Sequence, residues 1–134
     1  ATSMAGEPRV RAIAEAHAPV FYAAGLHPLH VHEESPPTVE TLVEIARHPK
    51  MVGIGETGLD YHYSVETRAV QQESLRLHCE AARRTGLPLI IHSRDADDDM
   101  TRILTEEHAA GAFSCVMHCF SSSAELGRAM LERP

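Results

Sequence analysis

Three side chains able to share a metal ion stand at the ends of short apolar runs: Glu56 after MVGIG, His92 after LPLII and His118 after FSCVM. Two imidazoles and one carboxylate are a common ligand set for a catalytic Zn, Mn or Fe ion. A single histidine beside an apolar strand is ordinarily a hydrogen-bonded core residue. The recurrence of the pattern on successive runs favours a shared centre instead. Gly55 and Gly58 frame Glu56, where they let the backbone turn sharply and approach a ligand. His27 leaves another run in Gly25-Leu26-His27-Pro28, and Arg94 follows His92 closely. Both can hold a substrate anion, with a loop hydrogen bond and an ion pair to Asp95 or the following acidic turn as their plainer roles. Asp60, Tyr61 and His62 suit pocket shaping or packing rather than chemistry. The acids of residues 95–99 read as complementing a helix dipole, and no residue is assigned as a catalytic acid or base.

For these side chains to meet, the apolar runs must be neighbouring strands and the stretches between them helices. Val10, Ile13, Ala14 and His17 recur at helical spacing until Pro19, and residues 20–24 read as a strand. Residues 35–38, Ser-Pro-Pro-Thr, break the chain and open a helix with Val39, Leu42, Val43 and Ala46 inward. The run ending on Glu56 follows, and then the longest helical pattern, from residue 65 or 66 to 85. Gly86 is its left-handed stop, and Arg83 and Arg84 suit the negative end of its dipole. Residues 88–91 form the strand carrying His92. The acidic run opens a helix burying Met100, Ile103 and Leu104, which Gly111 ends. Residues 113–117 form the last strand, and Ser123 caps a final helix with Leu126 and Met130 inward.

Four consecutive strand–helix units behind one leading helix predict an α/β fold with a parallel sheet and right-handed crossovers. The candidate residues then lie at the carboxyl ends of the strands, where open α/β sheets and (β/α)₈ barrels place their sites. A flavodoxin-like sheet obeys the same rule, but its glycine-rich phosphate loop is missing and no G-x-G-x-x-G follows any strand, so a dinucleotide site has little support.

Composition narrows the function. With 134 residues, 43% of them hydrophobic, residues 1–134 are expected to form one domain with a moderate core. The balance of 19 Asp and Glu against 12 Lys and Arg argues against gripping duplex DNA through a broad basic face, so any nucleic acid is held locally. Cys79, Cys115 and Cys119 form an odd set without C-x-x-C spacing, which predicts free thiols in a reducing compartment. No apolar run is long enough for a membrane span and the first residues contain no signal-peptide core, so the expectation is a cytoplasmic protein without a membrane partner.

GLHP at residues 25–28, GIGETGLDY at 53–61, LPLIIHSRDA at 87–96 and MHCFS at 117–121 resemble, in order and spacing, four motifs of the TatD family of metal-dependent deoxyribonucleases. That family lies within the amidohydrolase-like group of TIM-barrel metal hydrolases. The resemblance runs through almost the whole chain and implies a (β/α)₈ barrel, of which about four consecutive βα units are present. It implies that Glu56 bridges two divalent metals, of the Mg, Mn or Zn type, and that His92 and His118 complete one of the two sites. It also implies hydrolysis of DNA phosphodiester bonds by metal-activated water.

Two departures accompany the resemblance. A complete barrel takes roughly 250 residues. The family's first-strand H-x-H pair and last-strand aspartate are also missing, because the only H-x-H, His30-Val31-His32, lies in the loop after GLHP. At most one site is therefore well furnished. Ser122 also replaces the glycine usual in HCFSG. The alternatives are another metal hydrolase of the group, acting on an amide, lactone or base amine, and a non-catalytic half-barrel. Lack of a lysine at the Glu56 position weighs against the first, since a carboxylated lysine often bridges the metals of those relatives. Half a barrel leaves strand edges and an apolar face open, which predicts association through those edges or disordered chain flanking Ala1 and Pro134.

Overall fold

The computed structural model describes residues 1–132; the expectation attached to Pro134 lies outside them. In chain order the elements are α1 (Glu7–Ala16), β1 (Tyr22–Ala24), a 3₁₀ turn (Pro28–His30), α2 (Val39–Ile45), β2 (Met51–Asp60), a second 3₁₀ turn (Val65–Thr67), α3 (Arg68–Thr85), β3 (Leu89–Arg94), α4 (Asp97–Ala110), β4 (Cys115–Met117) and α5 (Ala124–Leu131). The strands form one parallel sheet in the order β1-β2-β3-β4. This is the α/β architecture expected from the alternation of runs.

The helix boundaries follow local chemistry. Thr38 caps α2 by accepting from the Thr41 N–H at 3.1 Å, and Ser123 caps α5 by accepting from the Leu126 N–H at 3.2 Å. Gly86, at φ 72°, ends α3 in the left-handed conformation. The long helical pattern starts later than its periodicity implies, because residues 65–67 wind as the tighter 3₁₀ turn before α3 begins at Arg68.

Ala14 of α1, Leu42 of α2, Leu75 of α3, Ile103 of α4 and Leu126 of α5 join Ile54, Leu59, Leu89 and Ile91 of the sheet in one buried cluster. The helices therefore share one face of the sheet. On the strands, Val52 stays 47% exposed and Val116 53%. Beyond β1 the ladder continues briefly: the Ala1 amino group donates to Ala23 O, and the N–H groups of Gly25 and His27 donate to Ala1 O and Thr2 O at 3.3 and 2.8 Å. The β1 edge is thus partly covered, whereas β4 is exposed along Cys115 and Val116. The three cysteines are free thiols, as their spacing implies. Among the described residues no helix is long and apolar enough to cross a membrane.

His78 joins the helix layer to the loop carrying His27. It is fully buried; its Nδ1–H donates to Ser74 O at 2.7 Å, and its Nε2 accepts from the Leu26 N–H at 3.0 Å. Burial pushes its pKa down to about 4, against the raising effect of the Ser74 carbonyl. An unfolded chain takes up this proton near pH 6.5, whereas the folded chain refuses it until about pH 4. His78 therefore imposes no penalty above about pH 6.5, and folded stability falls by about 3 kcal/mol as the pH drops from there to 4. Thermal melts across that interval should show this loss, and His78→Gln, which keeps a donor and an acceptor, should make it shallower by the His78 share.

Candidate metal centre

β2 does not end at the carboxylate, as its apolar run implied, but continues to Asp60. Glu56 escapes the ladder through a bulge. Gly55 pairs with Ile90 and Thr57 with the next residue, Ile91, so Glu56 has no partner. The glycines make this possible. Gly55 and Gly58 have φ of 138° and 142°, and a Cβ on Gly58 would lie 1.9 Å from His92 O. The bulge leaves Thr57 and Leu59 buried in the helix-facing core. By strand alternation, Glu56, Gly58 and Asp60 share the other face.

His92, within β3, places Nδ1 3.5 Å from Glu56 Oε1. His118, just beyond β4, places its Nδ1 3.1 Å from the same oxygen, and its backbone N–H extends the β3–β4 ladder to Ile91 O at 2.8 Å. His27 Nε2 lies 4.0 Å from Oε1, with its ring centroid 4.5 Å from that of His92. Among the described residues, His27, Glu56 and His92 form the group whose ligand atoms all lie within 4.8 Å of one another; His118 joins it only through Glu56.

The hydrogen bonds behind these rings sort their roles. Asp60 is 1% exposed, and its Oδ2 lies 2.9 Å from His92 Nε2. Its Oδ1 accepts from the N–H groups of His62 and Tyr63 at 3.1 and 3.0 Å. Burial alone would raise the Asp60 pKa, but the Tyr63 N–H, His92 and the His62 N–H together hold it below the usual carboxylate range. The ionised acceptor fixes the proton of neutral His92 on Nε2 and leaves the Nδ1 lone pair facing Glu56, as in a carboxylate–histidine–metal relay. His27 is arranged oppositely. Its Nδ1 accepts from the Leu29 N–H at 3.2 Å, so neutral His27 points an Nε2–H donor at the site. Burial, reinforced by His92, pushes its pKa down to about 4. Glu56 thus stands within 4.0 Å of a nitrogen of each of three imidazoles: the Nδ1 atoms of His92 and His118, and the Nε2 of His27, which in the neutral ring carries the proton.

Arg94 does not form the ion pair considered for it. Its guanidinium carbon sits 4.7 Å from the centroid of the Tyr63 ring, while Asp95 takes His62 Nδ1 at 2.8 Å. Arg94 also borders a cleft of about 440 Å³ between the loops after β3 and β4. The acidic run is occupied locally: Asp97 accepts from the Ser123 N–H at 2.9 Å, and Asp99 accepts from Tyr61 and Arg102 at 2.9 and 2.8 Å. Sequence reasoning left Asp60 in a general packing role and missed its grip on His92. Its even spacing from Glu56 on one strand was the available signal.

A parallel α/β sheet with a carboxylate and imidazoles gathered at the carboxyl ends of its strands is the arrangement of the barrel-type metal hydrolases. More narrowly, the chain belongs to the TatD related DNase family, whose model matches residues 1–134. It is 36% identical over 132 residues to the uncharacterized metal-dependent hydrolase YcfH of Escherichia coli (strain K12), a match covering 98% of this chain and 49% of that protein. It is likewise 36% identical over 104 residues to the 3'-5' ssDNA/RNA exonuclease TatD of Erwinia billingiae, covering 76% of this chain and 39% of the relative. The crystal structure of YJJV, a TatD homolog from Escherichia coli K12, superposes with a TM-score of 0.85 at 31% identity, over 98% of this chain and 51% of the other. The chain spans about half the length of the curated relatives it matches.

The proton positions are directly measurable. Long-range ¹H–¹⁵N spectra of the metal-free chain at mildly alkaline pH should place the proton on Nε2 in His27 and His92 and on Nδ1 in His78. Asp60→Asn, which removes the ionised acceptor, should shift the His92 proton toward Nδ1 and leave the other two rings unchanged.

Proposed function

We propose that residues 1–134 form one partial-barrel unit of a metal-dependent deoxyribonuclease, in which Glu56, His92 and His118 hold a divalent cation of the Mg, Mn or Zn type. The carrying observation is the convergence of two imidazole nitrogens on one Glu56 oxygen, with one of those rings oriented by a buried carboxylate. The cation would supply activation of water and neutralisation of charge developing on phosphorus and the leaving oxygen. The chain's own groups do the rest. Asp60 keeps the His92 proton on Nε2, away from the metal side. His27 donates its Nε2–H toward a phosphate oxygen, and Arg94 offers a second cationic contact. Free thiols favour a reducing, cytoplasmic setting, and the exposed β4 edge is the place for association with further barrel strands or another chain.

The formal charge of −7 means that DNA is held by these local contacts rather than drawn to a basic surface. The reading accords with the nuclease name of one relative and the metal-dependent hydrolase name of another.

Calorimetric titration with Mn²⁺ or Zn²⁺ should give one strong site per chain. His92→Ala or His118→Ala should weaken it a hundredfold or more, since two remaining ligands rarely hold such an ion. Cleavage of fluorescent DNA with Mg²⁺, Mn²⁺ and Zn²⁺, with chelator controls, should be assayed on this chain and on a form extended to the relatives' length. The expected result is little turnover by the first and chelator-sensitive cleavage by the second. Hydrolysis of an amide or lactone but no nucleic acid would remove the nuclease assignment and leave the metal-hydrolase one standing.

A further inference from the structure

We propose that Tyr63 and Arg94 form a platform on which an unpaired base of single-stranded nucleic acid stacks beside the metal centre. This rests on the proposed function and adds to it two residues that would hold a base. Tyr63 is 60% exposed, so core packing does not account for the placement of its ring. Two contacts hold it at the rim. The Arg94 guanidinium lies over it at 4.7 Å, and the His62 ring meets it edge-on, with centroids 4.5 Å apart and planes at 87°. Among the described residues Arg94 has no carboxylate partner, although Asp95 is its chain neighbour; Asp95 is held by His62 instead. The cation therefore remains available to a phosphate while the aromatic ring carries it.

The platform is tied to the metal centre through one side chain. Asp60 holds His92 with Oδ2 and the backbone N–H groups of His62 and Tyr63 with Oδ1. On β3, His92 and Arg94 alternate onto the same face, roughly 7 Å apart along the strand. That separation is within reach of a base attached to a phosphate held at the centre. A paired base has both faces covered by its neighbours, so an exposed ring accepts only bases released from the stack. Stacking is also tolerant of sequence, because every base has a π face, and it does not depend on the basic surface that this acidic chain lacks.

The test is a fluorescence-anisotropy titration, with chelator present to prevent cleavage. Its probes are a labelled oligothymidylate, an abasic oligomer of the same length and the corresponding duplex. Tyr63→Ala should weaken binding of the oligothymidylate about tenfold and leave binding of the abasic oligomer unchanged, and Tyr63→Phe should bind as the parent does. Arg94→Gln should weaken both single strands alike and reduce the salt dependence by about one counterion. Equal effects of Tyr63→Ala on normal and abasic strands, or no effect on either, would overturn the platform. So would parent binding of duplex as tight as of single strand. A metal titration on the same samples separates the two readings. Loss of the platform signature with metal binding intact removes the platform alone, whereas base-dependent binding through Tyr63 without a metal site removes the proposed function and keeps the platform.

Discussion

Between Gly55 and Thr57 the β2–β3 ladder gains one residue on β2 only, and the geometry of the C-terminal edge depends on that extra residue. In a regular strand, Glu56 would pair with β3 and alternation would carry every later side chain to the opposite face. The bulge instead leaves Glu56 unpaired while Thr57 and Leu59 remain in the core beneath the helices. The backbone can do this because Gly55 and Gly58 adopt φ values that a side chain opposes, at places where a Cβ would meet Ile90 O or His92 O at 2.5 or 1.9 Å. A third glycine, Gly25, brings β1 against the same point, since its Cβ would stand 2.6 Å from Gly55 Cα. Close packing of three strands and projection of one carboxylate are therefore a single structural solution.

Around that carboxylate, one residue type is put to different uses by what lies behind each ring. A neutral imidazole has one donor and one acceptor, so fixing either nitrogen from behind decides what the other presents. Asp60 accepts the Nε2–H of His92, and a lone pair faces Glu56. The Leu29 N–H takes the lone pair of His27, and a proton faces the same oxygen. The Ser74 carbonyl and the Leu26 N–H take both nitrogens of His78, and that ring becomes a structural strut. Burial keeps His27 and His78 neutral, with pKa values pushed down to about 4, so both orientations persist at neutral pH.

The legibility of this structure varied with the range of the interaction. Parallel strands separated by helices, the opening of α2 after residues 35–38, the cap at Ser123 and the left-handed stop at Gly86 are written in local spacing and residue type, and the sequence reading placed them. The approach of His92 and His118 to Glu56 was also readable, because successive strand ends must adjoin in a sheet built in chain order; that His27 rather than His118 lies within mutual ligand reach of Glu56 and His92 was not. The bulge was not. Periodicity sees an apolar run that stops at a charge, and only the cross-strand register reveals that the strand continues to Asp60. Tautomers were hidden for a similar reason, since the partners that set them are a backbone N–H in a 3₁₀ turn and a carboxylate on another strand. For Arg94, chain proximity pointed to Asp95, whereas the fold gave Asp95 to His62 and carried the guanidinium over Tyr63.

Asp60 also shows how an acidic chain can keep a buried carboxylate beside its candidate site without leaving that charge unengaged. The carboxylate is buried, yet each oxygen is engaged: one by an imidazole whose proton it fixes, the other by two backbone donors. Its charge is thus spent on orientation. Asp97 and Asp99 of α4 are similarly engaged, the first by Ser123 and the second by Tyr61 and Arg102. What remains around the Glu56 carboxylate is the Nδ1 atoms of His92 and His118 and the Nε2 of His27, with the Arg94 guanidinium lying over the Tyr63 ring. Engagement of Asp60, Asp97 and Asp99 means that the sign of the field at the site need not follow the sign of the net charge. Composition alone therefore bounds the long-range attraction of a polyanion without deciding its binding at short range.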